Sequence, residues 1–456
     1  MTTQTIETKK KIIQTVTGEA RFSGSLKALR QDRLAFYTRM MRECDGIGKF
    51  HWGLLPLYMV SRPELVQSIL VEHSDAFNKG VIINLIFSPI VGKGLFLNEG
   101  EPWRKQRKVI APLFQPRHLA NYAQIMVDYT NRQQATWQEG AVIDLEKEMM
   151  ALTMSIIGKI LFDEDVFSQT DELGTALSDA FRWVDTVSLK AFPIPAVVPT
   201  PLNLWVRRRM KVIQNRIETM IKERRAHPKD RMDILSMLLN ATDETGQHMD
   251  EVQVRDEAVT AFGAGHETTA VSLSWAFYFM LSQPEIYAKV QHEVDTVLQG
   301  RTPTIADLPS LPYILQVIKE TLRYCPPTSG IARQALRDVE IDGYSFRKGQ
   351  VVMLPMYATH RTLKYYPDPE RFDPERFSAE NEKKLPRYAY WPFGAGPRIC
   401  IGSHLAIMEM QLIIARLVQG VRFELVPGQE VRVEMRGTIH MNSCKLVVHP
   451  RNQGCD

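Results

Sequence analysis

Apolar and polar positions divide the chain into long helical stretches and several short strands. Between residues 115 and 240 the apolar positions read as successive amphipathic helices, each with one face for a core. Residues 251–282 predict a single long helix whose second half carries few charges. Residues 314–323 predict another amphipathic helix, ending before Pro326 and Pro327, and residues 404–418 a further apolar one. β-branched and aromatic runs at 50–54 and 57–60 predict a short hairpin. Residues 338–344 and 350–354 alternate like paired strands around a turn, and the tail after Gly420 reads as short strands. Pro63 and Pro102 each suit the first turn of a helix. Residues 81–97, apolar yet broken by Pro89, Gly92 and Gly94, read as a loop that has to pack against something. Four prolines between 193 and 201 exclude helix there.

Composition narrows the class. The 456 residues are 44% hydrophobic and 24% charged, as in ordinary globular proteins, and length alone favours two or three domains. The net charge of +4 is too mild to imply nucleic acid as a partner. The five cysteines (Cys44, Cys325, Cys400, Cys444 and Cys455) are scattered and lack metal-ligand spacing, which fits a reducing compartment and a cytoplasmic protein. The polar first 25 residues read as a flexible segment with no apolar leader, and no stretch reaches the roughly 20 apolar residues that span a bilayer. The basic run Arg207, Arg208, Arg209 and Lys211 reads as a solvated helix face, with contact to a membrane surface as the alternative.

The densest candidate chemistry is at residues 393–402, where one cysteine stands among three glycines, a proline, an aromatic and an arginine. Glycines let the backbone take positive φ, so such a loop can turn its amides toward one atom, here Cys400 Sγ. A helix begins just after it, and helix N-termini favour thiolates. A lone cysteine is more often a buried structural residue; the surrounding residues reverse that preference. A second anomaly lies in the long helix, where Ala264-Gly265-His266-Glu267-Thr268-Thr269 puts a glycine and two threonines at positions poor for helix stability. Local rules broken inside a strong helix often mark function. Trp103 and Arg107, four apart, share a helix face, as do Glu320 and Arg323, three apart.

Phe-x-x-Gly-x-Arg-x-Cys-x-Gly at Phe393 to Gly402 resembles the haem-ligand loop of the cytochrome P450 family. The long-helix segment, Trp103-x-x-x-Arg107, Glu320-x-x-Arg323 and Pro374-Glu375-Arg376-Phe377 resemble further family motifs in family order, over roughly residues 100–405. The resemblance implies a mainly α fold with a minor β region, the cytochrome P450 fold. It makes residues 26–456 one domain after a flexible 1–25, and so sets the length expectation aside. It implies haem b (iron protoporphyrin IX) with Cys400 as the iron ligand and Phe393 shielding the sulfur. Trp103, Arg107, Arg333 and Arg398 would bind haem propionates, and Glu267 and Thr268 would handle protons and oxygen. His266 would be structural. Glu320, Arg323 and Arg376 would form a buried latch. Residues 81–97, Phe262, Ile331 and the turn at 438–440 would line the substrate pocket.

The implied reaction is hydroxylation of a lipophilic small molecule, with a fatty acid as the first candidate and steroids and terpenoids also open. It would use O2 and electrons from a separate ferredoxin or flavodoxin with an NAD(P)H reductase. Arg104, Lys105 and Lys108 make an acidic donor the expectation. The alternatives are an H2O2-dependent peroxygenase, against which the Glu267-Thr268 pair argues, and a non-catalytic haem-thiolate binding or sensing protein.

Overall fold

The protein is described here by a computed structural model covering residues 11–20, 23–164, 172–188, 194–227 and 231–451. Residues 1–10, 21 and 22 of the segment expected to be flexible, residues 191–193 of the proline-rich stretch and Cys455 lie outside the described residues. The chain separates into two compact units, each assembled from discontinuous segments.

The first unit comprises Met1–Ile83, Thr328–Arg371 and Lys383–Cys400. Its six-stranded sheet runs in the order Gln14–Thr15, Ile47–Trp52, Leu55–Val60, Val351–Leu354, Ile331–Ala335, Phe77–Asn78. The expected hairpin forms, Trp52 opposing Leu55 across a two-residue turn opened by Gly53 at φ +61°. Leu55–Val60 then pairs in parallel with Val351–Leu354. Here the structure corrects the sequence reading. Residues 338–344 do not pair with 350–354; Val339–Ile341 pairs with Tyr344–Phe346 as a separate ribbon, and Val351–Leu354 joins the sheet. The reason is the turn: Asp342 and Gly343 take φ +49° and +78°, the two positive values that close a tight hairpin locally. Tyr58, Val60, Leu70, Phe346, Val352 and Trp391 pack together as part of the sheet's core. The helix expected at Pro63 runs Pro63–Gln67, with proline in its first turn.

The second unit comprises Asn84–Pro327, Phe372–Glu382 and Ile401–Asp456 and is largely helical. Between 115 and 240 the helices are Pro116–Gln134, Leu145–Phe162, Glu172–Ser188, Pro201–Ala226 and Ile234–Asn240. The described part of the proline-rich break, residues 194–200, is not helical. Asn203, buried, ties it down by donating to the Pro195 and Val198 carbonyls at 2.9 Å each. The long helix spans Glu251–Ser282 and is capped by Asp250, whose side chain accepts from Gln253 N at 2.7 Å. It packs on Leu145–Phe162, where Thr153 Oγ1 donates to the His266 carbonyl at 3.0 Å. The tail forms Val421–Leu425, Val433–Met435, Ile439–Met441 and Lys445–Pro450, the first and last pairing antiparallel. Among the described residues no helix is long and apolar enough to cross a membrane.

Residues 81–97 are a second correction. Val81–Val91 is an α-helix that contains Pro89, and the loop begins only beyond it. Helix lets Ile86, Ile90 and Val91 share one buried face, which an apolar coil would leave in water.

The expected latch is present. Arg323 Nε lies 2.6 Å from Glu320 Oε2, Arg323 Nη2 2.8 Å from Oε1, and Arg376 Nε 3.5 Å from Oε1. Asp373 N also donates to Glu320 Oε1 at 2.8 Å. The Glu320 and Arg323 side chains are 0% exposed. Arg323→Ala would strand a buried carboxylate, so unfolding in urea is expected to show a loss of about 3–5 kcal/mol, far beyond the ~0.5 kcal/mol of a surface pair.

Candidate functional site: an exposed thiol and an open helix face

In the first unit, residues 393–402 close on themselves. Gly394 N donates to the Trp391 carbonyl at 2.9 Å, and Cys400 N to the Phe393 carbonyl at 2.9 Å. Gly394 and Gly396 take φ +77° and +66°, so both reversals need glycine. Gly396 is also crowded: a Cβ there would run into the Leu70 carbonyl oxygen. The result is a half-buried Phe393 bonded through its backbone to an exposed Cys400. The other described cysteines, Cys44, Cys325 and Cys444, are buried. Burial pushes the Cys44 thiol up and the Cys444 thiol up to about 12, so both are inert packing residues. Arg398 closes the short Gly396–Arg398 turn just before Cys400. Arg333 lies half-buried on Ile331–Ala335, its Nη1 donating to the Ala332 carbonyl at 2.9 Å.

The second unit carries the rest. Trp103 is buried on Gly100–Ile110, and the Arg107 guanidinium lies 5.9 Å from its ring centroid. The long helix is buried at Phe262, Gly263, His266 and Thr269, yet Ala264 is exposed and Gly265 and Thr268 are half-exposed. A small-residue face is thus left uncovered in the middle of a helix that is otherwise packed. Thr268 Oγ1 donates to the Ala264 carbonyl at 2.7 Å, which shields a backbone acceptor on that open face.

Glu267, the residue before Thr268, turns elsewhere. Its Oε1 accepts from Thr438 Oγ1 and lies 3.1 Å from His440 Nε2. His440 Nδ1 lies 2.8 Å from Glu146 Oε1. Burial alone would favour neutral His440, but hydrogen bonds and charge from Glu146 and Glu267 outweigh it and push the imidazole to about 9. Burial likewise raises Glu267, but His440 and Thr438 more than offset it, so its carboxyl sits below the ordinary value. His266 is held neutral, lowered to about 4 by burial, and stacks on Phe262 with centroids 5.9 Å apart. It is the structural residue expected of it.

The structure thus joins Trp103 with Arg107, and Phe393 with Cys400. Arg333, Phe393, Arg398 and Cys400 fall in the first unit, and Trp103, Arg107, Glu267 and Thr268 in the second. Two expected pocket residues are not open: Phe262 and Ile439 are 1% and 0% exposed and belong to the core. Sequence reasoning missed Glu146 and the use made of His440. No motif spacing could relate them, since 294 residues separate the pair.

The cytochrome P450 family model matches residues 19–452. Cyclooctat-9-en-7-ol 5-monooxygenase of Streptomyces melanosporofaciens is 33% identical over 439 residues, spanning 96% of this chain and 95% of that protein. Pentalenene oxygenase of Streptomyces avermitilis is 30% identical over 410 residues, 89% of this chain and 90% of that protein. Among solved structures, the haem domain of cytochrome P450DA aligns with a TM-score of 0.90 at 26% identity, covering 97% of this chain and 98% of that one. The fold is that of cytochrome P450 haem domains, and the chain belongs to the cytochrome P450 family of monooxygenases. Its residues fit the cofactor the family implies. A thiol is a soft donor suited to iron, and Cys400 is the exposed one among the described cysteines.

Because Gly396 needs positive φ and has no room for a side chain, Gly396→Ala is expected to cost about 2 kcal/mol or more. The check is a lowered urea midpoint together with poorer haem retention.

Proposed function

We propose that this monooxygenase uses O2 and two externally supplied electrons to hydroxylate a lipophilic, largely hydrocarbon molecule of cyclic terpenoid type. The observation that carries the reading is one contrast in each unit. One cysteine is exposed in a glycine loop while the other described cysteines are buried, and one small-residue helix face is open beside Thr268. In this reading Cys400 ligates the iron of haem b and Phe393 stands beside the sulfur. Trp103, Arg107, Arg333 and Arg398 hold the propionates. The haem supplies the oxygen-activating chemistry when bound; the chain supplies position and protons. Thr268 presents its hydroxyl at the open face, and Glu267 serves as the relay acid. Ala264 keeps that face free of bulk, while Gly265 lets Ile157 pack close to the helix, 3.0 Å from where a Cβ would stand.

The substrate class rests on the relatives whose names specify cyclooctat-9-en-7-ol and pentalenene. Electrons come from a separate ferredoxin or flavodoxin with its NAD(P)H reductase, in the cytoplasm. Exposed Arg104, Lys105 and Lys108 on Gly100–Ile110 suit an acidic donor. The match across residues 19–452 supports reading residues 26–456 as one domain.

A haem absorption titration with cyclic terpenoids and with fatty acids of increasing length tests the substrate. A saturable low-to-high-spin shift is expected with the terpenoids; a shift with fatty acids alone would move the assignment to them, and none with either would overturn both. Thr268→Ala is expected to leave NAD(P)H oxidation running while product per NAD(P)H falls about tenfold or more. Unchanged coupling would remove Thr268 from proton delivery.

A further inference from the structure

Glu267 is not a solvent-facing carboxylate next to Thr268. It is one end of a buried chain of charges. The side chains of Glu267, His440 and Glu146 are 16%, 5% and 13% exposed. Each His440 ring nitrogen faces a carboxylate oxygen, Nε2 that of Glu267 and Nδ1 that of Glu146. A carboxylate only accepts, so both nitrogens have to donate, and only the doubly protonated ring does that. A neutral ring would set a lone pair against one of the carboxylates. Thr438 Oγ1 donates to the same Glu267 oxygen and lies 2.7 Å from His440 Nε2.

The platform that carries His440 is itself pinned. Glu146 Oε2 accepts from Met441 N at 2.9 Å, so one carboxylate holds both the ring and the strand. Trp275 Nε1 donates to the Ile439 carbonyl at 2.8 Å, and Ile439 N to the Pro327 carbonyl at 3.0 Å. The strand therefore cannot shift along the long helix without breaking these bonds. The titratable groups facing His440 are Glu146 from Leu145–Phe162, Glu267 and His266 from the long helix, and Glu434, opposite in register on Val433–Met435 and 3.0 Å from Arg436 Nη2. His266 is neutral there, so it does not compete with His440 as a second cation for Glu267.

We propose that His440, oriented by Glu146, is a positioning residue that fixes the Glu267 carboxylate and so sets the efficiency of proton delivery beside Thr268. This rests on the relay reading of Glu267 and Thr268. The sign of the pH dependence comes from the charge on the ring. The raised His440 contributes fully below its ordinary value of 6.5, and its contribution is lost as pH rises through about 9.

The test uses the holoenzyme. In histidine-labelled, carbon-monoxide-bound ferrous protein, the His440 ring is expected to titrate near 9 by NMR, and in Glu146→Gln to fall toward 6.5. With the best ligand of the titration as substrate, Glu146→Gln and His440→Gln are expected to lower product per NAD(P)H about tenfold, as loss of an orienting group does. Thr268→Ala runs beside them. If it uncouples while Glu146→Gln and His440→Gln keep parental coupling, positioning by His440 is wrong and the relay stands. If Thr268→Ala also keeps coupling, the relay reading fails and takes this inference with it. A His440 ring that titrates at its ordinary value in the parent protein overturns the proposal without any variant having to fold.

Discussion

The helix Glu251–Ser282 is buried on nearly every side, yet on one face it leaves Ala264 exposed and Thr268 half-exposed. Close packing normally fills such space. The neighbouring residues Phe262, His266 and Thr269 pack inward instead. Thr268 bonds its hydroxyl back to the Ala264 carbonyl, which places that hydroxyl at the open face. The rest of the site depends on this face staying open and on the helix around it staying fixed.

Two buried carboxylates show how the second unit is fixed. Glu320 is surrounded by Arg323, Arg376 and a backbone N–H, and Glu267 by His440 and Thr438. In both cases a carboxylate taken out of water is kept by charge-assisted hydrogen bonds that include partners from distant segments. The outcomes differ in kind. The Glu320 cluster joins Pro312–Tyr324 to Pro374–Phe377 and acts on stability. The Glu267 cluster joins the long helix to Ile439–Met441 and Leu145–Phe162, and it holds a residue assigned to proton delivery.

The loop at residues 393–402 works on a different principle. Its shape comes from backbone, through the positive φ of Gly394 and Gly396 and the bond from Cys400 N to the Phe393 carbonyl. Glycine chemistry is local, so this loop was readable in the chain alone. Strand partnership was not: residues 350–354 alternate correctly, but their partners are Leu55–Val60 and Ile331–Ala335 rather than the adjacent ribbon. Alternation states that a segment is a strand and says nothing of which strand lies beside it.

Sequence by itself determined the long helix, the proline-rich break and the glycine loop with Cys400, because periodicity, proline and glycine act within a few residues, while the latch residues followed from the family resemblance. It also named Glu267 and Thr268. Tertiary structure alone decided that residues 81–91 coil into helix, that Phe262 and Ile439 are core, and that Glu267 belongs to a Glu146–His440 chain. Those outcomes depend on which side chains meet after distant segments fold together. A carboxylate's charge, freedom and direction are set by those meetings, which no spacing along the chain encodes.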